Sequence, residues 1–233
     1  MNPDPTLSTG LAEALADHDP TRLGHWLHAA PRGVSTYLGV TRGWGEESWL
    51  PLHHAAEQGR DGAVAALLTA GAQPDARTRF ATPLHARQTA LHLAAAAGHA
   101  ASLATLLQAG AGVEVRDARG RSPLWEAARG GHAAAVTALL DAGADPHTRD
   151  TGGRTPLHAA LMPAESGVPV GGAAAVLTRL LDAGADPNAT CPREPAAYTP
   201  LRRATALEPA AGDLTRQLQA AGADPGLAPP SAG

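Results

Sequence analysis

Apolar residues recur along this chain at helical spacing, in short bursts that glycine closes. Between Ser122 and His132, Leu124, Ala127 and Ala128 fall at i, i+3 and i+4, one stripe of an amphipathic helix. Ser122 suits the N-cap, where its hydroxyl can accept from an orphan amide of the first turn, and Pro123 suits the first helical position, where its missing N–H costs nothing. The pair Gly130-Gly131 is a natural left-handed stop. A second helix follows, with Val136, Leu139 and Leu140 on one face and Gly143 closing it, and Asp145-Pro146 through Gly153 is turn-rich. The pattern predicts a unit of helix, turn, helix and extended hairpin loop.

The same unit is written several times. Five Gly-Ala steps occur, at Gly71-Ala72, Gly110-Ala111, Gly143-Ala144, Gly184-Ala185 and Gly222-Ala223, each downstream of a related leucine motif. Leu52 to Gly71, Leu91 to Gly110 and Leu124 to Gly143 are each 19 residues apart, and Leu91, Leu124 and Leu157 are spaced by 33. A fixed period of this length marks a stacked array. Thr155-Pro156-Leu157-His158-Ala159-Ala160, Gly98-His99, Leu106-Leu107 and Gly143-Ala144-Asp145-Pro146 resemble the ankyrin repeat family, over roughly Ser48 to Pro225. The resemblance implies an all-α repeat solenoid: about six stacked ankyrin-type helix-turn-helix units, β-hairpin finger loops projecting to one side, a concave surface, and degenerate caps at both ends.

On this reading residues 1–227 form a single repeat domain. A capping unit occupies 10–36, a linker insertion 37–48, repeats 49–75, 89–114, 122–147 and 155–188, and a second capping unit 199–225, with a disordered tail at 228–233. Thr215 and Gln219 stand where Val136 and Leu140 stand earlier, the polar replacement that a terminal unit needs. Three departures mark this chain out. Gly71 to Leu91 is 20 residues where Gly110 to Leu124 is 14, so six extra residues sit in the finger around Arg79 and Phe80. About eight more lie between the helices of the fourth repeat, around Pro163 to Gly172. At Leu50 the usual Thr cap is absent, so that helix should start less firmly.

Composition narrows the function. Of 233 residues only 3% are aromatic, so Ala and Leu fill the core, and thin layers of close-packed helices suit them. The 18 basic residues are all Arg, with no Lys or Ile in the chain, as expected of a GC-rich, bacterial genome. The net charge of −4 gives no pull toward nucleic acid, no run is long enough to span a membrane, and no secretory signal is visible from Met1 to Gly10. A cytoplasmic monomer is expected. A single cysteine, Cys191, leaves no disulfide framework.

Candidate chemistry is sparse. His53, His92 and His158 sit in the repeat motif, where the family resemblance gives them a hydrogen-bonding role, and His99 and His132 follow the first helix. No Cys or carboxylate cluster joins the histidines at ligand spacing, no Gly-x-Ser-x-Gly elbow is present, and no phosphate-cradling glycine loop appears. The expectation is no catalysis, no metal, no cofactor and no small-molecule substrate. The fingers, by contrast, are rich in arginine, whose planar fork suits a partner's carboxylates, although interleaved acids leave only a small surplus. Arg77, Arg79, Arg87, Arg116, Arg119 and Arg149 are the candidate partner-binding residues, together with Phe80 and Trp44, aromatics in non-repeat insertions that stacking does not require. The expected function is a protein–protein interaction module acting through its finger and inner-helix face. The alternative is a dedicated inhibitor or stabilising regulatory subunit of a single enzyme.

Overall fold

The structure is a computed structural model that describes residues 38–41, 46–78, 87–162, 170–191, 199–206 and 212–226. The capping unit expected at 10–36 and the tail at 228–233 lie outside the described residues. The chain divides into two compact units, Met1–Ala118 and Arg119–Gly233. In the first, strands β1 (Leu38–Thr41) and β2 (Glu46–Trp49) precede helices α1 (Pro51–Glu57), α2 (Asp61–Thr69), α3 (Ala90–Ala97) and α4 (Ala100–Gln108). The second contains α5 (Pro123–Arg129), α6 (Ala133–Asp141), α7 (Pro156–Ala160), α8 (Val170–Asp182), α9 (Pro200–Ala206) and α10 (Gly212–Ala220). Helix pairs therefore stand at the repeats that the periodicity predicts, and the repeats themselves are all-helical.

Two places differ from the sequence expectation. The linker at 37–48 contains an antiparallel hairpin, with Leu38 opposite Trp49 and Thr41 opposite Glu46. Val40, Thr41 and Trp49 are β-branched or aromatic, and such residues favour extended backbone. In the fourth repeat Val170 to Gly172, expected as loop, form the first turn of α8, which runs 13 residues where α6 runs nine. Part of the insertion thus lengthens a helix.

Packing is by layers. In the first unit α1 lies against α3 and α2 against α4; in the second, α7 lies between α5 and α9, and α8 between α6 and α10. First helices stack on first helices because their leucines, Leu52 and Leu91 in one unit and Leu124, Leu157 and Leu201 in the other, are buried there. Leu67, Leu103, Leu106, Leu139, Leu180 and Leu218 do the same for the second helices. Each such side chain contributes about 1.5–3 kcal/mol of burial, supplied by its own pair and by the pairs beside it. At the far end of the second unit Thr215 is half-buried and Gln219 exposed, where the equivalent Val136 is fully buried.

Helix ends are determined locally. Ser122 Oγ accepts from the Trp125 N–H at 3.2 Å, as its place before Pro123 predicts. In α3 and α7 the motif histidine takes part: Nδ1 of His92 lies 2.9 Å from Thr89 Oγ1, and Nδ1 of His158 lies 2.8 Å from Thr155 Oγ1. Leu50 has no hydroxyl, yet α1 is still tied down, because the Leu50 N–H donates to His53 Nδ1 at 3.0 Å. The other ring nitrogen of His53 donates to Ala76 O at 2.9 Å, joining helix start to finger base.

Gly143 closes α6 at φ +87°, with its N–H donating to Leu140 O and the Ala144 N–H to Leu139 O, and the other four Gly-Ala steps repeat this pair of bonds. Gly59, in the turn after α1, is also left-handed, at φ +64°, and a Cβ there would stand 2.5 Å from His99 Nδ1. That imidazole uses Nε2 to donate to Glu57 O at 2.9 Å, so it cannot retreat without losing the bond.

Two predictions follow from these contacts. Gly143→Ala meets nothing within 4 Å and carries only the left-handed backbone cost, about 1–2 kcal/mol, whereas Gly59→Ala adds a clash and should lose clearly more in urea unfolding. The second concerns His53, whose pKa burial lowers from 6.5 to about 4, with neighbouring His54 adding to the effect and the Ala76 bond opposing it. Because the folded value lies below the unfolded one, unfolded chains take up the proton first as pH falls. Stability should therefore decline between about pH 6.5 and about pH 4, by up to about 3 kcal/mol from this ring, and His53→Gln should flatten that slope.

Candidate partner-binding site

The fingers are built on short-range hydrogen bonds. Asp145, Asp186 and Asp224, each two residues past the closing glycine, accept through Oδ1 from the N–H two residues on, at 2.7–2.8 Å, which bends the chain out of the helix. At the tip of the finger between α6 and α7, the Asp150 N–H donates to Arg154 O, and Asp150 Oδ1 accepts from the Gly152 and Arg154 N–H groups. In the long finger Thr78 and Gln88 hold the equivalent places: the Thr78 N–H donates to Gln88 O at 2.8 Å, and the Gln88 N–H to Thr78 Oγ1 at 3.0 Å. These pairs are four residues apart in one finger and ten in the other, so the six-residue insertion lies wholly between closed stems.

Successive fingers are also tied to each other. Arg77 Nη1 donates to Arg116 O at 2.7 Å, the carbonyl at its own position one repeat later, and to Arg87 O at 3.2 Å. In the second unit Arg149 Nη1 does the same with Thr190 O and Gly153 O, both at 2.7 Å. Asp75 Oδ1 accepts from the Gly112 N–H, while Asn188 accepts from the Asp224 N–H and donates to Gly222 O.

The candidate residues thus separate by role. Arg77, Arg87 and Arg116 come together in the first unit, with Arg77 as the staple, and Arg116 lies 3.9 Å from Glu114. Arg87 is exposed and has φ +64°, the one left-handed non-glycine among the described residues. In the second unit Arg149 is a staple, and half-exposed Arg119 accepts through its carbonyl from the Thr151 N–H. Arg79, Phe80 and Trp44 lie outside the described residues. Cys191 is buried, its thiol donating to Gly152 O. Among the described residues no helix is long and apolar enough to cross a membrane.

A second arginine group lies on the first helices, where attention to the fingers overlooks it. Glu126 of α5 is 1% exposed, and its two oxygens accept from Arg121 Nη1 and Arg129 Nε, both at 3.1 Å. Arg121 also lies over the Trp125 ring, 4.1 Å from its centroid. Trp125 fills the place of the motif histidine, and its buried indole N–H finds no acceptor among the described residues. One level along, Arg154 Nη1 reaches Met162 Sδ at 3.7 Å, and Arg203 Nε donates to Leu161 O at 3.2 Å at the end of α7. The signal for this group was positional: Arg202 and Arg203 stand where the other motifs carry His or Trp and the residue after it.

Comparison with known proteins agrees with the helix-pair geometry. No curated protein matches the chain. A family model described as ankyrin repeats in three copies matches residues 52–150 and, overlapping, 91–191. Together these cover residues 52–191, more than half of the 233, so the chain belongs to the ankyrin repeat family.

Proposed function

We propose that this chain captures a partner protein through its fingers and the adjoining first helices. Ankyrin repeats are in general protein–protein interaction modules and typically non-catalytic. The observation that carries the reading is the stapling of finger to finger by Arg77, Arg149, Asp75 and Asn188, which orders the loops before any partner arrives. A surface ordered in advance loses little further conformational entropy on association. Exposed Arg87 and Phe80 of the long finger in the first unit, and half-exposed Arg119 in the second, are assigned to contact, and Arg77 and Arg149 to holding the fingers of their own units in place.

The test separates the two roles. The triple variant Arg87→Asn, Phe80→Ser and Arg119→Ser should reduce capture of the partner at least tenfold in quantitative affinity pull-downs, with an unchanged melting curve; Asn tolerates the left-handed backbone at position 87. Arg149→Met should instead lower the unfolding free energy by about 1–2 kcal/mol, through two lost hydrogen bonds from a charged donor. Undiminished capture by the triple variant would mean that a different surface binds.

A further inference from the structure

A group of arginines lies on or just before the first helices of the second unit, and the inference drawn from it rests on the module reading above and deepens it. Helix α7 stacks between α5 and α9, and Arg121, Arg129, Arg154, Arg202 and Arg203 lie on these helices or directly before them. Within these helices Arg129, Arg202 and Arg203 stand against one carboxylate, Glu126, and Arg121 and Arg154 come just before α5 and α7. Counting Asp150 as well, whose Oδ1 is engaged with the Gly152 and Arg154 N–H groups, the excess is still three. The other layer differs: α6, α8 and α10 carry Arg179 and Arg216 against Asp141, Asp182 and Asp213, a net charge of −1. In the first unit α1 and α3 contain no arginine. Among the described helices, a net positive charge therefore falls on the first-helix layer of the second unit, in a chain whose net charge is −4.

The row is also organised. Glu126 is buried between Arg121 and Arg129, and it holds the Arg129 Nε while 38% of that side chain stays exposed. A guanidinium anchored at one edge by a buried carboxylate is oriented before it meets another anion, as fork-type recognition of carboxylates requires. Stacked helices stand about 8–10 Å apart. An extended chain covers that distance in about three residues.

We propose that this row binds an acidic segment of the partner protein, in extended conformation, with Asp or Glu at about every third position, so that one carboxylate meets each of α5, α7 and α9. Nucleic acid fits less well. The net negative charge of the chain opposes a long polyanion, and Trp125, the aromatic side chain on α5, is 1% exposed and offers no base a stacking surface.

The direct test uses the purified chain and a fluorescein-labelled 12-residue peptide with Glu at every third position. Its controls are the same peptide with Gln for Glu, the same with Lys, and a single-stranded oligonucleotide of matched length. Fluorescence anisotropy should show the Glu peptide bound at least tenfold more tightly than any control, with affinity falling as salt rises. Arg129→Gln combined with Arg202→Gln should weaken it at least tenfold; exposed Arg202→Gln alone, with melting recorded in parallel, guards against a folding defect. Equal binding of the Gln peptide or the oligonucleotide, or full affinity in both variants, would overturn the proposal. A chain that ignores the Glu peptide yet still loses its partner through the finger variants overturns this inference and leaves the module reading standing. Peptide binding without capture of any protein overturns the module reading and leaves the acid-binding row.

Discussion

A pair of helices five to thirteen residues long cannot bury both of its apolar faces against itself. That constraint organises the molecule. Leu52 meets the neighbouring pair through α3, and Leu157 does so through α5 and α9. Cooperativity is then set by nearest neighbours, and a defect in one pair is transmitted mainly to the pairs beside it. The buried imidazoles fit the same logic. His53 joins its own helix start to a finger base 23 residues on, and His99 joins its pair to the last residue of α1.

The helix pairs were legible because each carries several independent signals that agree. Around α5, the Ser122 cap, Pro123 at the first position and the Leu124/Ala127/Ala128 stripe all specify the same start and face. The length of the insertion in the long finger was legible too, since the flanking repeats act as rulers and Thr78 and Gln88 occupy the stem positions that the register assigns them. The hairpin at 38–49 was not, because its composition of Gly, Arg and aromatics gives no clean alternation, and strand pairing is a non-local property. Likewise Val170-Gly171-Gly172 look like loop by propensity, yet continue a helix already nucleated by the apolar stripe that follows.

Arginine shows most clearly what a linear reading leaves out. Composition placed these side chains in the fingers and counted them against interleaved acids. It could not show that Arg77 and Arg149 address carbonyls 39 and 41 residues away, nor that Glu126, inconspicuous in the chain, gathers Arg121 and Arg129 around itself. One residue type thus does three kinds of work here: tying loop to loop, neutralising a buried acid, and lending net charge to one helical layer. Only the three-dimensional neighbourhood separates them.

The rungs between fingers end on main-chain atoms. Arg77 contacts the Arg116 carbonyl, Asp75 the Gly112 amide, Arg149 the Thr190 carbonyl and Asn188 the Asp224 amide. Every residue type offers a carbonyl, and all but proline offer an amide, so a module needs no particular side chain from its successor at these junctions. Copies can be duplicated, deleted or exchanged during evolution without a matching change next door. An array joined in this way is open-ended in length, and its exposed positions are left to diversify independently of the joints.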